Sequence, residues 1–224
     1  MITKPYEYKL LEKVTINGTR YYHTPDKVAL PSVTTILDKT ADKKALVEWR
    51  KRVGDQEATR ITKEAGGRGT TMHKYIERWL LNEEKEPGTN LVHQQAFKMS
   101  RIIIEGALKP NLKEAWGTEL SLYYPELYAG TTDLVGIWDK DSAIIDFKQS
   151  NKPKKREWIE GYFCQLCAYA VAHNEMYGTD INQGVVLVCT PELKLQIFEI
   201  KGKEFDHWTS EWWKKVDKYY KEHH

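Results

Sequence analysis

The sequence predicts a mixed α/β fold: a central mixed sheet flanked by helices in the order αβββαβ, with an N-terminal β-hairpin and extra helices ahead of it. Three observations predict this. Three strand-like stretches follow one another between residues 116 and 148, each bounded by turn formers. A long helical stretch, Glu157 to Tyr177, separates them from a buried-type strand, Val185 to Cys189. A helix between two strands of one sheet is a crossover, so the strand after it lies parallel to the strand before it.

In chain order, Tyr6 to Ile16 alternates weakly, Asn17-Gly18 is a hairpin turn, and Thr19 to His23 is the returning strand. Ser32, behind Pro31, is a candidate N-cap for a short helix. Residues 41–65 read as helical, with Leu46, Trp49, Val53, Ala58 and Ile61 at roughly helical spacing. Gly66-Gly67-Arg68-Gly69 is expected to break that helix, and a new one to begin near Thr70 and run through Met72, Tyr75, Ile76, Trp79 and Leu80. His73 and Glu77 then share a face. A polar loop at 83–90 and a helix at 91–108 lead into the sheet. Its strands are Trp116 to Tyr124, Leu127 to Trp138 and Ser142 to Lys148, with turns at Pro125-Glu126 and Asp139-Lys140-Asp141. Residues 149–156 form a basic loop, Gly178 suits a helix end, Leu195 to Ile200 is a last strand, and 204–222 is an amphipathic helix. One domain is expected over 1–224: a β-rich segment 1–40, a helical region 41–110, a sheet core 111–200 and a C-terminal helix 201–224.

Composition narrows the function classes. A chain of 224 residues suits a single domain with a real core. A net charge of +2 excludes a uniformly basic nucleic-acid coat, so any such site is a local patch. Three cysteines argue against a secreted disulfide framework. Cys164 and Cys167 form a C-x-x-C inside an apolar helical run with no second pair, which favours core packing over zinc or redox chemistry. Met1 to Lys13 is mixed and charged, and it carries Glu7 and Glu12, unlike a signal or transit peptide. No stretch approaches membrane-spanning length, and the expected compartment is the cytoplasm. The terminal His223-His224 is assigned no chemistry.

The chemistry concentrates in Gly130-Thr131-Thr132-Asp133 and Ile144-Ile145-Asp146-Phe147-Lys148. Residues two apart on a strand share a face, so Asp146 and Lys148 project together with Phe147 opposite, and an antiparallel hairpin can bring Asp133 alongside. Two carboxylates offer hard oxygen ligands for Mg²⁺ or Mn²⁺. A lysine beside them can hold a water and offset phosphate charge. Taken alone, this short pattern fits a polar strand end with a surface ion pair equally well.

With that order in place, the chain resembles the RecB-like exonuclease branch of the PD-(D/E)XK nuclease superfamily. Within that branch it is most similar to the mitochondrial genome-maintenance exonucleases and their phage and bacterial relatives. The resemblance is carried by Leu30-Pro31-Ser32-Val33-Thr34-Thr35-Ile36-Leu37, by Arg68-Gly69-Thr70-Thr71-Met72-His73 with Glu77, by Gly130-Thr131-Thr132-Asp133, by Asp146-Phe147-Lys148, and by Gln165 with Tyr169. Thr132 stands where the motif has proline, a common departure in this branch. The resemblance implies a restriction-endonuclease-like core. It implies one or two Mg²⁺ or Mn²⁺ ions on Asp133, Asp146, the Phe147 carbonyl and His73, with Glu119 as a further ligand held less firmly. Lys148 becomes the catalytic lysine, and Gln165 and Tyr169 position the substrate or Lys148. No iron–sulfur cluster is expected, since the cysteines are too few and misplaced.

For the substrate, Arg50, Arg52, Arg68, Lys152 and Lys154 flank the site in sequence and can track a phosphate backbone, with Trp49 or Trp158 as a stacking surface. The resemblance implies single-stranded DNA, or DNA ends, threaded beneath a helical arch built from the 41–110 region and cut by an exonuclease. It further implies a monomer in a bacterial or phage-infected cell, working beside replication, recombination or repair proteins. Three readings stand against it: a structure-specific endonuclease of the same superfamily, a catalytically silent DNA-binding module, and a zinc or redox protein using Cys164 and Cys167.

Overall fold

A computed structural model describes residues 2–223 of the chain. Strands β1 (Glu12–Ile16), β2 (Thr19–His23) and β3 (Ala29–Pro31) form an antiparallel sheet in that order. Asn17 and Gly18 both take positive φ, 50° and 76°, as a tight hairpin turn of matching twist requires. The expected hairpin therefore gains a third strand. Pro31, which has no N–H to give a ladder, lies on the edge strand where none is needed. Helix α1 (Val33–Thr40) follows, and the Ser32 hydroxyl caps it by accepting from the Thr35 amide at 3.0 Å.

The helical region corrects one expectation. Helix α2 (Lys44–Val53) ends at Gly54, whose φ of 86° no other residue type adopts readily, and α3 (Asp55–Leu80) then runs unbroken through Gly66, Gly67 and Gly69. Three helical glycines cost roughly 1 kcal/mol each relative to alanine. The burial of Met72, Tyr75, Ile76, Trp79 and Leu80 on the far half of α3 outweighs that propensity. Helix α2, by contrast, buries no side chain. Next come α4 (Leu91–Ile103), a π-helical turn at Ile104–Leu108, and α5 (Lys109–Asn111).

The main sheet is β4 (Leu112–Tyr124), β5 (Tyr128–Trp138), β6 (Asp141–Gln149), β7 (Gln183–Cys189) and β8 (Leu195–Lys201), paired in that order. Strands β6 and β7 are parallel, joined through α6 (Glu160–Tyr177), and the other neighbours are antiparallel. The crossover is thus the expected one. Helix α6 ends on Gly178 in the left-handed region. It starts three residues later than expected, because Arg156–Trp158 form a separate 3₁₀ turn that leaves Trp158 60 % exposed.

Alternation along the strands divides the core in two. Val135, Ile144, Val186 and Val188 pack with Phe163 and Leu166 of α6 and with Trp212 of α7 (Lys203–His223). Leu134, Ile145, Phe147, Val185 and Leu187 pack on the other face with Met72, Ile76 and Met99 of α3 and α4. The result is a mixed α/β fold, a five-stranded sheet between helical layers with a three-stranded sheet beside it. Among the described residues no helix is long and apolar enough to cross a membrane.

Candidate metal centre

Two registers assemble the site. Thr118 pairs with Leu134 and Leu120 with Thr132, which sets Glu119 opposite Asp133. Leu134 pairs with Ile145, so Asp133 in turn faces Asp146. The β5–β6 ladder ends at that pair, and the Asp133 carboxylate takes the next free amide: the Phe147 N–H donates to its Oδ2 at 2.8 Å. Thr118 Oγ1 donates to the Asp133 carbonyl at 2.8 Å and ties β4 to the same point. Helix α3 crosses this row of strands and sets His73 Nδ1 3.4 Å from Asp133 Oδ1, with the imidazole edge-on to the Phe147 ring.

His73, Glu119 and Asp133 each bring one ligand atom into a group spanning no more than 4.8 Å. Glu119, the residue sequence held least firmly, is therefore in the tight cluster. Its φ of 51° breaks the strand alternation there, a strained state for a non-glycine residue that recurs at functional sites. Asp146 lies outside this trio and is held by other partners. Its Oδ2 is 2.6 Å from Lys148 Nζ, and its Oδ1 accepts from Gln165 Nε2 of α6 at 3.3 Å. The Oδ2 contact is an ion pair without hydrogen-bond alignment, which leaves a buried carboxylate oxygen short of an aligned donor.

The electrostatics follow from this crowding. Burial pushes the Asp146 carboxyl above the ordinary carboxylate range, and the nearby Asp133 charge adds to the rise. Burial also pushes Asp133 upward, but His73, Lys148 and the Phe147 amide outweigh it and its pKa falls. Glu119 is raised by burial first and then by Asp133. Burial disfavours the Lys148 cation, yet Asp146 and Asp133 more than compensate, so Lys148 stays charged. Three carboxylates facing one histidine and one lysine carry more negative than positive charge, the condition a hard divalent cation relieves. The donor set and the under-satisfied Asp146 oxygen fit such an ion.

Other expected site residues are placed as follows. Tyr169 is buried, and its ring fills the space a Cβ on Gly130 would occupy, 2.7 Å from the ring edge, which is why that position is glycine. Trp49, Arg52, Lys152, Lys154 and Trp158 line one hollow of about 690 Å³ between α2, α3 and the 150–158 loop. Arg50 and Arg68 lie outside it. The Arg50 guanidinium holds Asp55 at 3.0 Å and Thr59 at 3.2 Å, while Arg68 is buried against Asn151 and Glu64. Tyr162, which the sequence reading passed over, lies under Lys148 with Nζ 5.0 Å from its ring centre. Its spacing from Gln165 and Tyr169, one helical face at i, i+3 and i+7, is the signal that was available. Cys164 and Cys167 are buried and burial raises their thiols to about 11 and about 12, so neither is a ready nucleophile or ligand.

A mixed sheet that brings Glu119, Asp133, Asp146 and Lys148 together on adjoining strands, with His73 of α3 beside them, defines a candidate cation site, and the chain is similar to an exonuclease. It is 28 % identical over 178 residues to mitochondrial genome maintenance exonuclease 1 of Xenopus tropicalis, a match that covers 71 % of this chain and 48 % of that protein. The chain thus spans about half the length of this relative. No family model matches it. Among solved structures it is similar to a candidate exonuclease of Eubacterium rectale, with a TM-score of 0.49 and 14 % identity over 69 % of this chain and 65 % of that one. It is also similar to an alkaline exonuclease of Laribacter hongkongensis, with a TM-score of 0.38 and 12 % identity over 68 % and 78 %. Neither overlay reaches a TM-score of 0.5, so the fold class rests on the strand order and registers above.

Proposed function

We propose that this chain is a divalent-metal-dependent deoxyribonuclease with a restriction-endonuclease-like core, an exonuclease that shortens single-stranded DNA from an end. One observation carries the reading: Glu119, Asp133 and Asp146 stand in one row across three strands, with His73 and Lys148 paired to its carboxylates. Relation to an exonuclease supports the same reaction class.

Asp133, Asp146, His73 and Glu119 would hold Mg²⁺ or Mn²⁺, with the Phe147 carbonyl as a further ligand. Such an ion, when bound, supplies a nucleophilic water near neutral pH and neutralises charge on the phosphate. The chain's own groups do the rest. Lys148 is charged, and its Nζ adds a second positive charge where negative charge grows on the phosphate. Gln165 fixes the rotamer of Asp146, and the Phe147 amide fixes that of Asp133. Tyr162 and Asp146 hold the Lys148 ammonium from two sides. The hollow lined by Trp49, Arg52, Lys152, Lys154 and Trp158 reaches Gln149 and Tyr162, the immediate neighbours of Lys148. Cations can bind the phosphates of a single strand there while the indoles stack on its bases. Helix α2, which buries nothing, and the first half of α3 form the outer wall of this groove, the part proposed as an arch. All the elements belong to one nuclease domain.

A circular single strand tests the exonuclease reading against an endonuclease. The proposal requires linear single-stranded DNA to be degraded in Mg²⁺ or Mn²⁺ while the circle survives. Equal loss of both forms would make the chain an endonuclease.

A further inference from the structure

Resting on the nuclease reading, we infer that a second hollow, on the Glu119 side of the metal centre, is the compartment through which cleaved nucleotides leave. Sheet order fixes the geometry. Strand β5, with Asp133, lies between β6, with Lys148, and β4, with Glu119. The basic hollow therefore meets the centre from the Lys148 side. A separate hollow of about 480 Å³ meets it from the Glu119 side, walled by Glu77 of α3, by Gly117 to Ser121 of β4 and by residues of the segment from Ile2 to Leu10. That segment is docked on the free edge of β4, where the Thr3 amide donates to the Ala115 carbonyl at 2.9 Å.

The two hollows differ in charge in the sense that directs traffic. The first is lined by Arg52, Lys152 and Lys154 with no carboxylate. The second is lined by Glu7, Glu77 and Glu119 against Lys4 and Lys9. A polyanion gathers on the first side, and a short phosphorylated product is not retained on the second. A cavity of about 480 Å³ lies in the ~300–1,000 Å³ range of small-ligand sites, room for a released nucleotide.

The test uses the full chain with long oligothymidylate as substrate and a 5′-phosphorylated thymidine dinucleotide as the product probe. Glu7 is exposed and outside the metal centre, so Glu7→Lys should fold and cleave. It should tighten inhibition by the dinucleotide about fivefold, the effect of a two-charge change at about 8 Å in water. KM for the long strand should stay within about twofold. Arg52→Glu should do the reverse, raising KM for the long strand and leaving dinucleotide inhibition unchanged. If Glu7→Lys shifts the long-strand KM as much as the dinucleotide inhibition, the hollow holds intact substrate and the inference fails. It fails as well if wild type cleaves and Glu7→Lys changes neither quantity. No cleavage by wild type overturns the nuclease reading itself, a different result from either of these.

Discussion

His173 offers a prediction whose size follows from its surroundings. It is fully buried on α6, with Tyr6, Tyr8, Trp116 and Tyr177 packed around its ring. The Thr179 hydroxyl donates to Asn174 Oδ1, so it accepts from His173 Nδ1–H at 2.8 Å, and Nε2 is left to accept from the Tyr8 hydroxyl at 3.0 Å. Burial, with no facing carboxylate to offset it, lowers the His173 pKa from 6.5 to about 4. The folded pKa lies below the unfolded one. The stability contributed by neutral His173 is therefore complete above about pH 6.5 and is lost as the pH falls toward 4. Linkage puts the loss at about 2 kcal/mol by pH 5 and about 3 kcal/mol by pH 4. Asp146 acts in the opposite sense on the acid side, because its raised pKa means it takes up a proton on folding. The wild-type curve alone therefore mixes the two effects, and the difference between wild type and His173→Gln isolates one. Urea melts of both at pH 7.5, 6, 5 and 4 should show wild type losing its advantage by about 3 kcal/mol across that range. A difference that does not vary with pH would refute a buried neutral histidine.

Other predictions follow from the same geometry. Gly136→Ala would place a Cβ 2.1 Å from the Glu114 carbonyl, which cannot move without opening the β4–β5 ladder, so thermal melts should show destabilisation of about 3 kcal/mol or more. Arg52→Ala with Lys154→Ala should weaken single-strand binding and reduce the slope of log K against log salt by about 1.4, at about 0.7 per lost phosphate contact. Binding isotherms at four salt concentrations measure it, and an unchanged slope would place the strand elsewhere. Asp146→Asn should bind Mn²⁺ more than tenfold more weakly by calorimetry while keeping the fold; unaltered affinity would remove Asp146 from the ligand set.

Much of the fold was legible because it depends on periods. The two-residue repeat in β5 and β6 and the apolar run in α6 announce a meander and a crossover, and the same period puts Asp146 beside Lys148. The parts that were not legible depend on local backbone departures and competing energies. Glu119 faces Asp133 in the unshifted hairpin register that begins at Tyr124 opposite Tyr128, but its φ of 51° departs from strand geometry there, with no sequence mark of its own. The continuity of α3 past its glycines is decided by the far half's burial, which a local reading does not weigh. Arg50 and Arg68 read as free cations, yet both are engaged by partners, Arg68 by Asn151, 83 positions away.

The central claim, that the Asp133–Asp146–Lys148 end of the sheet hydrolyses DNA, is met most directly by end-labelled linear single-stranded DNA incubated with Mg²⁺, Mn²⁺ or EDTA, wild type beside Lys148→Ala. The expected result is metal-dependent shortening from an end, absent in EDTA and reduced at least a hundredfold in Lys148→Ala, with the variant still binding DNA. Shortening that proceeds equally in Lys148→Ala would contradict the claim. So would DNA that the wild-type chain binds but leaves intact in both metals.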